Sequence, residues 1–236
     1  MKKIAIIGAM EIEVEILKSQ ISEQKEERIN GLVFVSGKIA ENDVVVVRSG
    51  IGKVNAAICT QILIDKFAVT HIINTGIAGA MAHGLGVLDM VVSSDALYHD
   101  FDVTGFGYKP TIIPQMKDSV FKADKDLIAI ANESFVELSN GPMKGHKLLV
   151  GRVASGDQFI SNREKKEYIR ALCNPACVEM EGAAIAHTAY LSSIPFIIVR
   201  CISDMADDGE EASYVFNDKT AAQMSAALVQ KIIAAI

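Results

Sequence analysis

Residues 44–57 read VVVVRSGIGKVNAA, and this stretch decides the fold class. Val44–Val47 is a β-branched run with no polar alternation, the pattern of a strand covered on both faces. Ser49-Gly50-Ile51-Gly52-Lys53 then breaks the run, and Val54–Lys66 takes up helical spacing. The same strand–turn–helix unit opens the chain, with Lys3–Gly8 (KIAIIG) before a helical segment at Met10–Gln20. Leu32–Ser36, Val44–Arg48, His71–Asn74, Val87–Ser93, Leu148–Ala154, Cys177–Glu179 and Phe196–Cys201 read as further strands. Lys125–Leu138, Arg163–Leu172, Gly182–Leu191 and Lys219–Ala235 read as helices, the last with Ala222, Ala226, Val229, Ile233 and Ile236 at helical spacing. Such alternation predicts an α/β layered domain around a mostly parallel central sheet.

The chain has 236 residues, half of them apolar and 22% charged, which excludes disorder and suffices for a large core. No Pro/Ser-rich linker or internal repeat divides it, so one domain spanning 1–236 is expected. A net charge of −6 argues against a nucleic-acid partner, whose phosphates call for a basic face. Cys59, Cys173, Cys177 and Cys201 are too few for a disulfide scaffold in a chain this long. Cys173 and Cys177 flank Asn-Pro-Ala with no histidine at finger spacing, so no metal is expected. Lys2 and Lys3 precede an apolar run, but Glu11, Glu13 and Glu15 follow at once, unlike a signal peptide. The most apolar long window, Ile72–Met90, is interrupted by Asn74, His83, Asp89 and glycines, so no membrane span is expected. A cytoplasmic location follows from these readings. Two stretches lack periodicity, Tyr98–Pro114 with its four aromatics and the acidic Met205–Asn217; long irregular loops of this kind are usually functional or interfacial.

In open α/β sheets ligands bind beyond the carboxyl ends of the strands. Four stretches fall there. Gly8-Ala9-Met10 leads into Glu11, Glu13 and Glu15; Glu11 and Glu15 read as helix-end decoration, whereas the place of Glu13 is open. Ser49–Lys53 offers backbone amides to a polar ligand but matches neither the dinucleotide fingerprint nor the P-loop. Asn74–Ala80 (NTGIAGA) reads as a second glycine turn. In Val178-Glu179-Met180-Glu181-Gly182, one of the two carboxylates is expected to face inward, where an unpaired charge is costly. Arg200-Cys201-Ile202-Ser203-Asp204 ends an apolar strand with a carboxyl suited to donate a proton, or with a simple Arg200–Asp204 pair. No triad elbow or clustered metal ligand appears. The residues alone thus indicate a crevice-type α/β enzyme working with carboxylates and without metal or dinucleotide.

Together GAMEIEVE (8–15), SGIGKVNAA (49–57), NTGIAGA (74–80), YHDFDVTGFGY (98–108), SGDQFI (155–160), VEMEGAAIAH (178–187) and RCISDMAD (200–207) resemble the 5'-methylthioadenosine/S-adenosylhomocysteine nucleosidases of the purine nucleoside phosphorylase superfamily. The resemblance implies a three-layer α/β/α sandwich around a mixed, mostly parallel central sheet, a homodimer, and hydrolysis of the N-glycosidic bond to adenine with no cofactor. It implies that Glu13 activates the water and that Asp204, steadied by Ser203, serves adenine N7. Glu181 would hold the ribose hydroxyls with Met180 against the sugar, Phe159 would stack on the base, and the Ile160 backbone would read its edge. Arg200 would order Glu13 and the water, and Met10, Ile51 and Tyr214 would line the sugar and 5'-substituent. Glu179, Ala78 and Gly79 complete the implied substrate-binding set. Val103, Phe106 and Pro114 would cross the dimer to close the partner's pocket.

Two positions depart from the family pattern. Ile77 stands where a serine is usual, which removes a hydroxyl near the ribose, and Tyr214 stands for a phenylalanine. The first departure, with a first turn free of arginine, argues for water over phosphate as nucleophile. A phosphate-dependent phosphorylase, a nucleosidase for another adenosine derivative such as aminofutalosine or 5'-deoxyadenosine, and a nucleoside-binding protein without turnover remain the competing readings.

Overall fold

The computed structural model describes residues 2–207 and 211–236, the side chains of residues 211–216 excepted. Its strands are β1 (Lys3–Gly8), β2 (Ser22–Ile29), β3 (Leu32–Ile39), β4 (Asn42–Arg48), β5 (His71–Ala80), β6 (Met90–Tyr98), β7 (Phe121–Lys122), β8 (Leu148–Ser155), β9 (Cys177–Glu179) and β10 (Phe196–Asp204). Its helices are α1 (Glu11–Ser19), α2 (Lys53–Phe67), α3 (Lys125–Leu138), α4 (Arg163–Cys173), α5 (Gly182–Leu191) and α6 (Glu211–Ala235). All ten strands belong to one mixed sheet in the order β10-β6-β8-β9-β5-β1-β4-β3-β2, with β7 on β6. β10 also pairs with β5, so β5, β10, β6, β8 and β9 close into a ring and β1, β4, β3 and β2 extend from it. Parallel ladders join β1 to β4 and β5, and β5 to β10, the strands whose ends carry the candidate site.

Helices cover both faces. On one, α2 packs against α5 over Ala5, Ile7, Val45, Val47 and Ile72. On the other, α6 packs against α1 and α3 over Ile4, Ile6, Val44, Val46 and Ile73. Successive residues of a strand point to opposite faces, so the unbroken apolar runs of β1 and β4 feed both layers at once.

The structure departs from the sequence reading at several places, among them the short strand β7, which that reading did not place. SEQKEERI folds as β2, an exposed strand at the sheet edge, where charges discourage pairing with another chain. The strand expected at Val87–Ser93 begins at Met90, because the Asp89 carboxylate accepts the Gly86 and Lys147 amides (2.9 Å each) in a turn, and it runs on to Tyr98. Helix α6 starts at Glu211, inside the stretch read as a loop to Asn217; residues 208–210 of that stretch lie outside the described residues. Finally, NTGIAGA is no turn: β5 continues through it to Ala80, buried almost throughout.

The glycines of β5 serve close packing. A Cβ on Gly76 would lie 1.8 Å from Arg200 Nη1 and 2.4 Å from Glu13 Oε1, and one on Gly79 would lie 3.0 Å from Asp204 Oδ1. Gly76→Ala must displace a buried ion pair, so thermal unfolding is expected to show a loss of about 3 kcal/mol, the upper end for overpacking. Gly105→Ala, with open space around it, serves as the control and is expected to stay within about 0.5 kcal/mol.

Candidate active site

The carboxyl ends of β1, β5, β9 and β10 converge on one cavity. It is lined by Met10, Glu13, Ile51, Ile77, Ala78, Gly79, Phe159, Glu179, Met180, Glu181, Ser203 and Asp204, together with Ala9 and Val178. Every one of these except Ile77, Ala9 and Val178 is among the substrate-site residues that the family resemblance implies. Ile160 is buried and lines an adjoining recess with Phe159, Met180 and Asp204.

Glu13 sits in the first turn of α1, yet its side chain turns inward. Its Oε2 accepts the amides of Ala9 (2.7 Å) and Met10 (2.9 Å), and its Oε1 accepts that of Ile77 (3.1 Å). The carboxylate therefore caps its own helix while facing the cavity. Burial pushes its pKa up, and Arg200 together with the three amides draws it back down. Glu11, by contrast, pairs with Lys18 at the surface (2.7 Å), as helix-end decoration should.

Arg200 lies behind the cavity wall, 1% exposed, among three carboxylates. Its guanidinium bonds Glu179 Oε2 directly, reaches Glu181 Oε2 at 3.7 Å and Glu13 Oε1 at 3.9 Å, and donates to Asn74 Oδ1 (2.7 Å) and the Thr75 carbonyl (3.2 Å). The expected alternative, an Arg200–Asp204 pair, is not formed. Asp204 instead accepts Ser203 Oγ (2.8 Å) and the Ala206 amide (2.8 Å). A bulge at Ser203, between Ile202 opposite Ala78 and Asp204 opposite Gly79, swings this last residue of β10 towards the cavity.

Both carboxylates of the Glu179-Met180-Glu181 motif are buried, where the sequence reading placed only one. Glu179 is fully engaged: Ser155 Oγ donates to Oε1, and the amides of Glu181 (3.1 Å) and Gly182 (2.7 Å) donate to Oε2. Glu181 Oε1 accepts the Gly52 amide (2.8 Å). The neighbouring Lys53 amide goes to Asp157 (2.9 Å), so these two amides of the Ser49–Lys53 turn are taken by the protein's own carboxylates and not offered to an anion. Burial, and then the nearby charge of Glu179, raise the Glu181 pKa to about 8 against the pull of Arg200.

The sequence reading passed over Ser155, Asn74 and Thr75, which hold the ionic cluster, and Asp218 on α6. Burial and the negative charges of Asp204 and Glu13 raise the Asp218 carboxyl to about 6. Its signal was a carboxylate one turn before Ala222 on the apolar stripe of the last helix. Tyr214 falls in α6, and its side chain lies outside what the structure describes. Val103, Phe106 and Pro114 sit in the loop after β6 and line no part of their own chain's cavity; the Phe106 side chain is 85% exposed. The four cysteines are buried free thiols. No helix of the described residues is long and apolar enough to cross a membrane.

With this geometry in place, comparison with known proteins is decisive. A family model described as the phosphorylase superfamily matches residues 3–234. A 5'-methylthioadenosine/S-adenosylhomocysteine nucleosidase from Colwellia psychrerythraea is 41% identical over 234 residues, covering 98% of this chain and 95% of that protein. The chain belongs to the 5'-methylthioadenosine/S-adenosylhomocysteine nucleosidase family of that superfamily. A crystal structure of the Colwellia protein in complex with adenine superposes with a TM-score of 0.92 at 40% identity, covering 98% of this chain and 94% of that one. The Neisseria meningitidis nucleosidase in complex with methylthio-immucillin-A gives 0.94 at 37% identity with both chains fully covered. A futalosine hydrolase of Helicobacter pylori gives 0.92 at 30% identity, covering 100% of this chain and 98% of that one.

A carboxyl whose pKa rises on folding binds a proton that the unfolded chain has released, so stability falls as pH climbs from the ordinary carboxylate range towards 8. Glu181→Gln keeps an acceptor for Gly52 and removes this titration. The melting temperature of the variant is therefore expected to gain on that of the native chain between about pH 5 and pH 8, as differential scanning calorimetry would record.

Proposed function

We propose that this chain hydrolyses the N-glycosidic bond of 5'-methylthioadenosine and S-adenosylhomocysteine, and of 5'-deoxyadenosine, releasing adenine and the 5-substituted ribose. The observation that carries the reading is the meeting of Glu13, Glu181 and Asp204 on one cavity in a chain so similar to proteins solved with adenine and methylthio-immucillin-A.

Adenine departs readily only when protonated, and the sugar develops oxocarbenium character as the bond breaks. Asp204, at the recess formed with Phe159 and Ile160, supplies the proton to N7, held in place by Ser203 and the Ala206 amide. Phe159 stacks on the base and the Ile160 backbone meets its edge. Glu181 receives the ribose hydroxyls, with Met180 against the sugar and Met10 and Ile51 towards the 5'-substituent. Glu13 orients the water and accepts its proton as the C–O bond forms. Burial raises the Glu13 carboxyl and so makes it the more basic, while Arg200 and three amides favour its charged form. The carboxyls of Glu13 and Glu181 face the sugar where the cation develops, and the ionised share of each steadies it.

Water is favoured over phosphate as nucleophile because the described lining of the cavity carries no arginine and Ile77 offers no hydroxyl. The exposed Phe106 on the irregular loop supports the homodimer, with Val103, Phe106 and Pro114 closing the partner's pocket. A cytoplasmic small-molecule enzyme, acting on neither nucleic acid nor membrane, fits the acidic balance.

Incubation with 5'-methylthioadenosine in phosphate-free buffer is expected to release adenine and methylthioribose, with no acceleration by phosphate. Asp204→Asn and Glu13→Gln are each expected to lower kcat by about 10²–10⁴-fold, the span of a positioned acid or base. Release only upon addition of phosphate would replace this reading with phosphorolysis.

A further inference from the structure

Among the described residues Lys166 is the only buried lysine. A lysine is rarely shut away from water without partners to hold its charge. This one sits on α4, which contributes nothing to the lining of the cavity, and it takes no part in the chemistry proposed above. Its Nζ donates to the Met205 carbonyl and lies 3.5 Å from Asp207 Oδ2. Both partners belong to the turn that follows Asp204 at the end of β10. Arg170, one turn further along α4, likewise donates from Nε (2.8 Å) and Nη2 (2.6 Å) to the carbonyl of Met81, just beyond β5. Helix α4 therefore pins the chain where two of the cavity's strands end.

The turn after Asp204 needs such a hold. Ala206 has a φ of +50°, in the left-handed region that a residue with a side chain occupies only where its surroundings fix it. Its methyl is buried in the apolar cluster that holds Met81, Ile160 and Ile169, and it sits against Gly79, where an added Cβ would come within 2.9 Å. In that conformation its amide meets Asp204 Oδ1 (2.8 Å), while Ser203 Oγ meets Oδ2 (2.8 Å). The orientation of the Asp204 carboxyl is thus tied to a strained turn, and the strained turn is tied to a buried lysine.

Resting on the nucleosidase reading above, we infer that Lys166 is a positioning residue for the proton donor. By gripping the Met205 carbonyl from outside the cavity it fixes the left-handed turn, the turn aims the Ala206 amide, and the amide sets the Asp204 carboxyl towards N7 of the base. Among the described residues Lys166 forms no hydrogen bond or ion pair with Asp204 itself. Its loss leaves the pocket able to bind and removes the orientation on which proton transfer depends.

The test pairs turnover with binding in Lys166→Met, which keeps the length of the side chain and removes its donors. Turnover of 5'-methylthioadenosine requires Asp204 to reach N7. 5'-Methylthiotubercidin carries a C–H in place of N7, so its binding does not. On 5'-methylthioadenosine kcat is expected to fall about tenfold, a part of what a positioned acid supplies, with KM little changed. The Kd of 5'-methylthiotubercidin is expected to stay within about twofold, because uniform binding is untouched. In an Asp204→Asn background Lys166→Met is expected to cost nothing further, since the group it positions is gone. An unchanged kcat, an equal weakening of tubercidin binding, or a loss that adds in full to that of Asp204→Asn would each overturn the proposal. Should Lys166→Met fail to fold, Lys166→Gln, polar but shorter, is held to the same results. A native chain that releases no adenine refutes the nucleosidase reading itself, a result distinct from an active enzyme indifferent to Lys166.

Discussion

The site depends on one buried cation. Arg200 is shut away from water, and among the described residues its desolvation is offset by the carboxylates of Glu179, Glu181 and Glu13 and by the oxygens of Asn74 and Thr75. Glu179 neutralises it directly, leaving Glu13 and Glu181 at a distance where they feel its charge without being consumed by it. One positive charge faces three carboxyl groups, and burial raises the pKa of Glu13 and, with the added charge of Glu179, that of Glu181. A pocket that must hold negative charge near a developing sugar cation, yet also accept a proton, needs carboxylates in this intermediate condition.

The rest of the fold follows from bringing these groups within reach. β5 lies between β1 and β10, so their ends meet; Gly76 allows the guanidinium and Glu13 to approach to 3.9 Å across it, and Gly79 admits Asp204. The closing of β5, β10, β6, β8 and β9 into a ring places β9, a strand of only three residues, beside β5, which delivers Glu179 and then Glu181 to the same point. Stability and chemistry are therefore opposed here. The ionised cluster that the reaction calls for is the part of the core that desolvation penalises most.

Much of this was legible in the sequence. VVVVRSGIGKV and KIAIIG announced buried parallel strands followed by helices, because apolar runs without alternation have few other places to go. The carboxylates at strand ends marked the crevice from position alone, and the seven family stretches supplied the individual residues. SEQKEERI was not legible as a strand: its side chains are nearly all solvated, and only pairing with β3 makes it extended. NTGIAGA looked like a turn because glycine ordinarily signals one, whereas here its missing side chains make room for Arg200, a contact far away in sequence. For the same reason the partners of Arg200 could not be read from the chain. The adjacent Asp204 was the local candidate, and the actual partners come from β5, from the end of β9 with the residue that caps α5, and from the first turn of α1.

Thermal unfolding of Arg200→Gln across pH tests most directly whether Arg200 holds the site's carboxylates in the folded state. Removing one partner of a buried ion pair costs about 3–5 kcal/mol. This deficit is expected to widen from about pH 5 to pH 8, as carboxyl groups that the unfolded chain would release as anions lose the buried cation beside them. A loss of the same size at every pH, or no loss, would contradict it.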